Sequence, residues 1–200
     1  MKSSLRNIIL ASSSGYKNSL LANLGMPFEA ISPDVDEQPL PEEEPKALTL
    51  RLAELKATAI SERFNNALVI GSDQVASCEN EIIGKPGSLK GAVEQLSFLQ
   101  GKEVLFFTSV AVSVSKKRCP SKCVLSKVVF RNLTKRQIQS YVQVEKPLDC
   151  AGSFKAEALG ITLFEAISSN DPTALIGLPL IALTTLLMKF GVNPVDYHSE

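Results

Sequence analysis

Short apolar runs alternate along the chain with segments in which apolar residues recur every three or four positions. The runs at residues 8–11 and 67–71 are typical of buried strands, and residues 75–78 continue the second run. Three serines and a glycine follow the first run, and a helical pattern then covers residues 16–24. The chain is therefore predicted to begin with a strand, a turn of small residues and a helix.

The longest helical pattern begins at Pro45, a residue suited to a first helical turn, and ends near Arg63. Its apolar stripe is predicted to face the core, with Lys56 at the border of the stripe. The stripe consists of Leu48, Leu52, Leu55 and Ala59.

The rest of the pattern predicts further strands and helices that interleave with these. The two longest β-rich runs, residues 104–114 and 124–130, are joined by a basic segment at 116–122, which predicts an antiparallel pair. Because such a pair interrupts strand–helix alternation, we expect an α/β fold with a mixed twisted sheet flanked by helices. The other predicted elements are strands at 28–31 and 161–167 and helices at 88–99, 134–142 and 179–190.

The composition is that of an ordinary globular protein. With 200 residues and 21.6 kDa, the chain is expected to form one domain spanning residues 1–200. Its 21 Lys and Arg residues balance 21 Asp and Glu residues, which argues against a general nucleic-acid or membrane-surface binder. The apolar stretch 178–188 is too short to span a bilayer, and the first ten residues lack the features of a secretory signal. We therefore expect a cytoplasmic protein without nucleic-acid or membrane partners.

The cysteine and histidine content argues against two kinds of site. Cys119 and Cys123 form one close pair, but the sequence has no second pair, and its one histidine, His198, lies near the C-terminus. This ligand set does not suit structural zinc. The lone histidine also argues against a Ser-His-Asp or Cys-His hydrolase. If the protein is an enzyme, we expect carboxylates, lysines and a metal ion to carry the chemistry.

Asp73 is the most informative single residue, because it follows the apolar run 67–71 almost directly. An acid at the carboxyl end of a strand lies where open α/β sheets bind ligands, and there it can bind a metal ion or activate water. From position alone, an aspartate that caps the following turn is an equally good interpretation.

Three other features favour a charged ligand. Residues 12–15 place hydroxyls and amides at a helix N-terminus, which suits an anion, although such residues also cap helices without a ligand, and they lack the pattern of a P-loop. Asp34, Asp36 and Glu37 form an acidic cluster that suits a hard cation or is simply solvated. Lys85 stands between a glycine and a proline, which helps to fix its direction and favours a phosphate partner.

Seven separated sequence blocks carry a resemblance to one known family. They are residues 9–14 (ILASSS), 33–37 (PDVDE), 51–53 (RLA), 71–73 (GSD), 84–86 (GKP), 151–152 (AG) and 177–180 (GLPL). In this order and spacing, from about residue 7 to residue 190, the chain resembles the Maf-like nucleoside triphosphate pyrophosphatases.

The resemblance implies an inosine-triphosphatase-like mixed α/β fold and a homodimer. It implies cleavage of a nucleotide substrate between the α and β phosphates, giving a nucleoside monophosphate and pyrophosphate, with a divalent metal cation, magnesium or manganese. Carried over by motif, Asp73 is the acid that activates water or holds the metal, and Glu37 is the second acid. The residues expected around the phosphates are Ser12, Lys17, Lys56 and Lys85, of which the last two are expected to be catalytic.

Gln74 after the acid, together with Tyr16 and Glu157, resembles the branch of the family that acts on 7-methyl-GTP. An aromatic face at Tyr16 suits a cationic methylated purine, and Glu157 suits the two donors on the pairing edge of guanine. A tyrosine packed on its helix and a solvated glutamate are the alternatives. Two other functions stay open: a pyrophosphatase of the same family that prefers dTTP or UTP, and a nucleotide-binding regulator of cell division with little hydrolysis.

The chain departs from the family pattern at four positions. Gly15, Lys17 and Asn18 stand where the family has a proline and a pair of arginines, and Leu55 stands where it has a glutamate. Lys17 keeps a positive charge but lacks the two-pronged guanidinium, so we expect weaker or reoriented phosphate binding.

Overall fold

The computed structural model describes residues 7–64, 66–115 and 119–198. Within these residues, seven strands form one mixed sheet. The strands are β1 (Ile8–Ala11), β2 (Glu29–Ile31), β3 (Leu68–Cys78), β4 (Glu81–Ile83), β5 (Glu103–Ser113), β6 (Ser121–Phe130) and β7 (Phe164–Ser169). Their order is β2-β1-β3-β5-β6-β7, and β4 pairs with β3 outside this path.

Helices cover both faces of the sheet, so the predicted fold class is confirmed. They are α1 (Gly15–Ala22), α2 (Pro45–Ser61), α3 (Leu89–Leu99), α4 (Lys135–Glu145) and α5 (Leu180–Met188). Helix α2 packs through Ala53, Ala57 and Ile60 against a face that includes Val69. Helices α1 and α5 pack on the opposite face, where the alternate strand residues, such as Ile70, are buried. Helices α3 and α4 form a second cluster with β5, β6 and β7.

Strand β3 has a gap in the pairing along one of its edges. Strand β1 pairs with it in parallel as far as Ala11 and Gly71, and β4 pairs with it in the antiparallel sense from Ala76 onward. On the other side, β3 is paired continuously with β5 from Val69 to Ser77. The edge of β3 between Gly71 and Ala76 therefore borders an opening beyond the carboxyl end of β1, the position at which open α/β sheets bind ligands.

Polar side chains cap three of the described helices. The hydroxyl of Ser14 accepts a hydrogen bond from the backbone N–H of Lys17 and caps α1, and Ser88 caps α3 in the same way. Thr134 and Gln137 form a capping box at the start of α4. The predicted starts of these three helices are confirmed to within one residue.

Three details of the predicted local structure are wrong. The strand expected at 161–167 begins only at Phe164, as β7, because residues 159–163 form a 3-10 helix. A short apolar run does not distinguish a strand from a buried turn. The buried face of α2 includes Lys56, whereas Leu55 is 38% exposed. Asp73 lies inside β3, because the polar residues after the apolar run continue to pair with β5.

The predicted antiparallel pair is confirmed, because β5 and β6 pair with Ser109 opposite Cys123. Residues 116–118 of the predicted basic segment lie outside the described residues. Residues 1–6, part of the N-terminal segment that lacks the features of a secretory signal, also lie outside them, as does the side chain of His198. In the part of the chain that the structure describes, no helix has the length and apolar character needed to cross a membrane.

Candidate functional site

A cavity of about 570 Å³ opens at the unpaired edge of β3. Its walls come from the turn before α1, the loop after β2, strand β4 and two segments at residues 149–157 and 175–177. All nine residues predicted for the site line this cavity, although they are spread from residue 12 to residue 157. They are Ser12, Tyr16, Lys17, Glu37, Lys56, Asp73, Gln74, Lys85 and Glu157.

Three charged side chains meet at the floor of the cavity. The ammonium of Lys56 lies 2.7 Å from Asp73 Oδ1 and 2.9 Å from Glu37 Oε2. Lys56 and Asp73 are buried, whereas the side chain of Glu37 is 56% exposed. Burial lowers the pKa of the Lys56 ammonium, but the two carboxylates outweigh burial and hold this pKa above its ordinary value. Lys56 is therefore a permanent cation shared by two acids.

Close packing between α2 and β3 brings these groups together. Gly71 lies directly under α2, where a Cβ atom would collide with the carbonyl oxygen of Ala53. Because alternate residues of a strand share a face, Asp73 points to the same side as Gly71, toward α2. One helical turn beyond Ala53, Lys56 reaches that carboxylate. A small residue in the strand thus permits the contact between acid and ammonium.

Lys17 supplies a second cation on the opposite side of the sheet edge. Its ammonium donates a hydrogen bond of 3.2 Å to the carbonyl oxygen of Ser72. Burial lowers the pKa of Lys17 to about 8, and the positive charges of Lys56 and Lys85 act in the same direction. Asp73 and Glu37 oppose this shift, so Lys17 lies in a region of the cavity where three ammonium groups face two carboxylates.

The turn before α1 presents polar groups to the same region. The buried hydroxyl of Ser12 accepts a hydrogen bond of 3.1 Å from the backbone N–H of Ser14. Ser13 and Gly15 also line the cavity at the amino end of α1. Lys85 is exposed at the rim, in the connection between β4 and α3. Amides, hydroxyls and three ammonium groups thus surround one space, as anion binding requires.

Tyr16 and Glu157 also line the cavity, beside a cysteine. The thiol of Cys150 lies 3.7 Å from the phenol oxygen of Tyr16 and 3.6 Å from Asp149 Oδ1. Burial raises the pKa of the Tyr16 phenol, so the ring stays neutral. Glu157 is exposed and lies close enough to raise this pKa further. Cys150 and Asp149 were missed by sequence reasoning, since an isolated Asp-Cys pair carries no signal of its own.

Gln74 lines the cavity, but its amide points into the protein. The Nε2 atom donates to Thr108 Oγ1 at 3.0 Å, to the carbonyl of Ala174 at 2.9 Å and to that of Leu175 at 3.1 Å. On the same face of β3, the hydroxyl of Ser72 donates to the carbonyl of Gly177. These bonds hold the segment 174–177 as a wall of the cavity, a role that sequence reasoning did not find because the partners are about 100 residues apart.

The acidic cluster and two departures from the family pattern lie mostly outside the cavity. Only Glu37 of the predicted acidic cluster lines the cavity, whereas Asp36 accepts a hydrogen bond from the backbone N–H of Gln38 and Asp34 is exposed. Leu55, one of the departures from the family pattern, faces outward and away from the buried side of α2. Asn18, another departure, has a buried Oδ1 atom that finds no hydrogen-bond partner among the described residues.

The donor set of Asp73 and Glu37 fits a hard divalent cation. Each carboxylate contacts Lys56 through a single oxygen. Magnesium typically binds one or two protein carboxylates and completes its octahedron with phosphate oxygens and waters. No group of three or more His, Cys, Asp or Glu side chains suited to a metal occurs within the described ranges, so a metal here would also need oxygens from the substrate and from water.

The solved structures that match this chain include two HAM1 proteins. The one from Coxiella burnetii is 12% identical, and the match covers 92% of this chain and 99% of that chain with a TM-score of 0.49. The one from Staphylococcus aureus is 18% identical, covering 76% of this chain and 88% of that chain with a TM-score of 0.46.

Sequence relatives are much closer. The family model for Maf-like protein matches residues 7–190. The 7-methyl-GTP pyrophosphatase of Idiomarina loihiensis is 46% identical over 192 residues, which cover 94% of this chain and 97% of that protein. The 7-methyl-GTP pyrophosphatase of Aromatoleum aromaticum is 50% identical over 188 residues, covering 92% of this chain and 96% of that protein. These matches confirm the resemblance seen in the sequence: the chain belongs to the Maf family.

Proposed function

We propose that this protein is a nucleotide pyrophosphatase that hydrolyses 7-methyl-GTP to 7-methyl-GMP and pyrophosphate. The observation that carries the proposal is the contact of Lys56 with both Asp73 and Glu37 on the floor of a cavity lined by further cations. The names of relatives at 46% and 50% identity support the same activity and the same substrate.

The cations of the cavity would bind the triphosphate. Lys17 and Lys85 line the cavity from two different elements, and the amino end of α1 adds backbone amides. Positive charge from several directions neutralises the phosphate oxygens and holds the chain of phosphates in one orientation. Lys17 would exchange its bond to the Ser72 carbonyl for one to phosphate.

The acids would act on the attacking water. Asp73 is buried and uses Oδ1 on Lys56, so its second oxygen is available to accept a hydrogen bond from water. Water attacks a phosphorus of the α–β linkage, its proton passes to the carboxylate, and the bond to the bridging oxygen breaks. The positive charge of Lys56 offsets the repulsion between the two carboxylates, and its contacts fix the orientation of each.

A magnesium or manganese ion held by Asp73 and Glu37 would polarise the phosphoryl oxygens and offset charge on the leaving group. The side chain of Glu37 is 56% exposed, so this acid would be free to turn toward a metal ion that it holds together with Asp73. The proposal therefore includes a divalent-metal requirement.

The part of the cavity lined by Tyr16 and Glu157 would select the base. A guanine methylated at N7 carries a positive charge, and the neutral ring of Tyr16 offers it a cation–π contact. Glu157 would accept hydrogen bonds from the two adjacent donors on the pairing edge of guanine, which pyrimidines lack. The anchored Gln74 would contribute through the wall that it holds.

A substrate panel tests this proposal. Purified protein with magnesium or manganese is given 7-methyl-GTP, GTP, dTTP and UTP, and pyrophosphate release is measured. We expect the highest kcat/KM with 7-methyl-GTP, a loss of release in D73N, and wild-type rates in D34N, a matched change at an exposed acid of the loop after β2. A clear preference for dTTP or UTP would contradict the base assignment, and binding without hydrolysis of any nucleotide would favour the regulator.

A further inference from the structure

The loop that carries Glu37 to the cavity is held by a network centred on Glu43. The carboxylate of Glu43 accepts a hydrogen bond from the backbone N–H of Leu40 at 3.0 Å, and the N–H of Glu43 donates back to the carbonyl of Leu40. Closer to Glu37, the backbone N–H of Gln38 donates to Asp36 Oδ1 at 3.0 Å. The loop is therefore folded on itself around Glu37 and again a few residues after it.

Arg51 joins this loop to α2. Its Nε and Nη2 atoms each lie 2.7 Å from one oxygen of Glu43, so the pair is bidentate. The same Nη2 atom donates at 3.0 Å to the carbonyl of Gln38, the residue next to Glu37. One guanidinium thus contacts the loop at two points that flank its turn.

The geometry of this contact is typical of a fixed pair. The side chain of Glu43 is only 9% exposed and that of Arg51 is 30% exposed. The hydrogen bonds from Arg51 lower the pKa of the Glu43 carboxyl to about 2, so the carboxylate stays ionised over the whole physiological range. Both members of the pair therefore carry their charges at neutral pH.

Arg51 and Lys56 stand on the same helix and hold the same loop. Lys56 contacts the side chain of Glu37, and Arg51 contacts the backbone directly after it. Since the side chain of Glu37 is 56% exposed, the backbone position of the loop and the contact with Lys56 together decide where its carboxylate points.

We propose that Arg51 is a positioning residue for Glu37, which it aligns with Lys56 and Asp73 by clamping Gln38 and Glu43. This inference rests on the proposed function, in which Glu37 is the second acid. A lysine is expected to replace Arg51 only in part, because its ammonium cannot bond to both carboxylate oxygens and to a backbone carbonyl in one plane.

Kinetics of R51Q, R51K, E37Q and the double variant E37Q/R51Q test the inference. R136Q serves as the matched control, since Arg136 is an exposed residue of α4 that does not line the cavity. We expect R51Q to lower kcat about tenfold or more with little change in KM, since a displacement of about 1 Å in a catalytic group has effects of this size. We expect R51K to retain an intermediate kcat.

The double variant separates positioning from a general effect on stability. If Arg51 acts through Glu37, R51Q causes no further loss of kcat in the E37Q background. An undiminished kcat in R51Q, or the same fold loss in the E37Q background as in the wild type, would overturn the inference.

Hydrogen exchange gives a second readout that is independent of turnover. We expect the amides of Gln38 and Leu40 to exchange faster in R51Q than in the wild type or R136Q, while the amides of β3 are unchanged. If the wild-type protein hydrolyses no nucleotide, the proposed function fails, and this exchange alone decides the positioning role. Equal exchange in R51Q and the wild type would then refute it.

Discussion

The ammonium of Lys56 lies 2.7 Å from Asp73 Oδ1, and both residues are less than one-tenth exposed. One charge comes from helix α2 and the other from strand β3, which pack against each other where Gly71 leaves no side chain between them. A buried charge is tolerated in this environment only while its partner is present. The contact therefore links the stability of the fold to the arrangement of the site.

Removal of the Lys56 ammonium is expected to destabilise the protein more than removal of both charges. In K56M, Asp73 becomes a buried carboxylate without its partner, and we expect a loss of about 3 kcal/mol or more in the free energy of unfolding. K56M/D73N is expected to recover part of this loss, because position 73 no longer holds a buried carboxylate without its partner. Urea unfolding of the wild type and the two variants measures the difference, and a double variant less stable than K56M would contradict the prediction.

Substrate binding is expected to weaken as the pH rises through the pKa of Lys17, about 8. Below this pH the free protein holds a protonated Lys17 that pairs with phosphate, and above it the neutral amine must first take up a proton. We expect KM for 7-methyl-GTP to rise from about pH 7 to about pH 9, by up to tenfold per unit above the pKa. Because arginine stays protonated, K17R is expected to show a smaller rise. If KM rises by the same factor in K17R as in the control variant K90R, the pH dependence belongs to another group.

Tyr16 is expected to contribute more to binding of the methylated base than to binding of GTP. Loss of a desolvated cation–π contact costs about 1–2 kcal/mol, so Y16L is expected to raise KM for 7-methyl-GTP about 5- to 30-fold. The guanine base of GTP is uncharged, so the KM for GTP is expected to rise less. Y16F keeps the ring and serves as the control for loss of the hydroxyl beside Cys150. Equal losses for both nucleotides in Y16L would argue that the ring only packs on its helix.

G71A is expected to disrupt the packing of α2 on β3. An added Cβ atom would collide with the carbonyl oxygen of Ala53 and approach the backbone N of Ala57, and neither can move without the helix. We expect a loss of about 3 kcal/mol in stability. G84A is the matched control, since a Cβ atom at Gly84 meets nothing within 4 Å. A G71A protein as stable as G84A would show that the helix shifts at little cost.

The elements of the site could be predicted from the sequence to a large extent. Apolar runs identified β1 and the first half of β3, and the helical patterns identified the starts of α1, α3 and α4 to within one residue. The roles proposed for the nine site residues came from a resemblance, whereas their convergence on one cavity is a property of the fold. The parallel pairing of β1 with β3 explains this convergence, because it brings the turn after Ala11 beside Asp73.

Other features depend on long-range contacts that no local pattern encodes. The buried face of α2 was mispredicted at Leu55 and Lys56, because two acids from other segments make burial of an ammonium favourable there. The wall at residues 174–177 is held by Gln74 across a separation of about 100 residues. The Arg51 clamp spans eight residues to Glu43, but its function depends on where Glu37 meets the cavity.

The most direct test identifies the products formed from 7-methyl-GTP by phosphorus NMR, with wild-type protein, D73N and the D34N control in magnesium. The wild type and D34N are predicted to form 7-methyl-GMP and pyrophosphate in equal amounts. D73N is predicted to form both products at no more than about one-hundredth of the wild-type rate. Intact 7-methyl-GTP with the wild type, release of single phosphates, or full activity in D73N would contradict the proposed chemistry at Asp73.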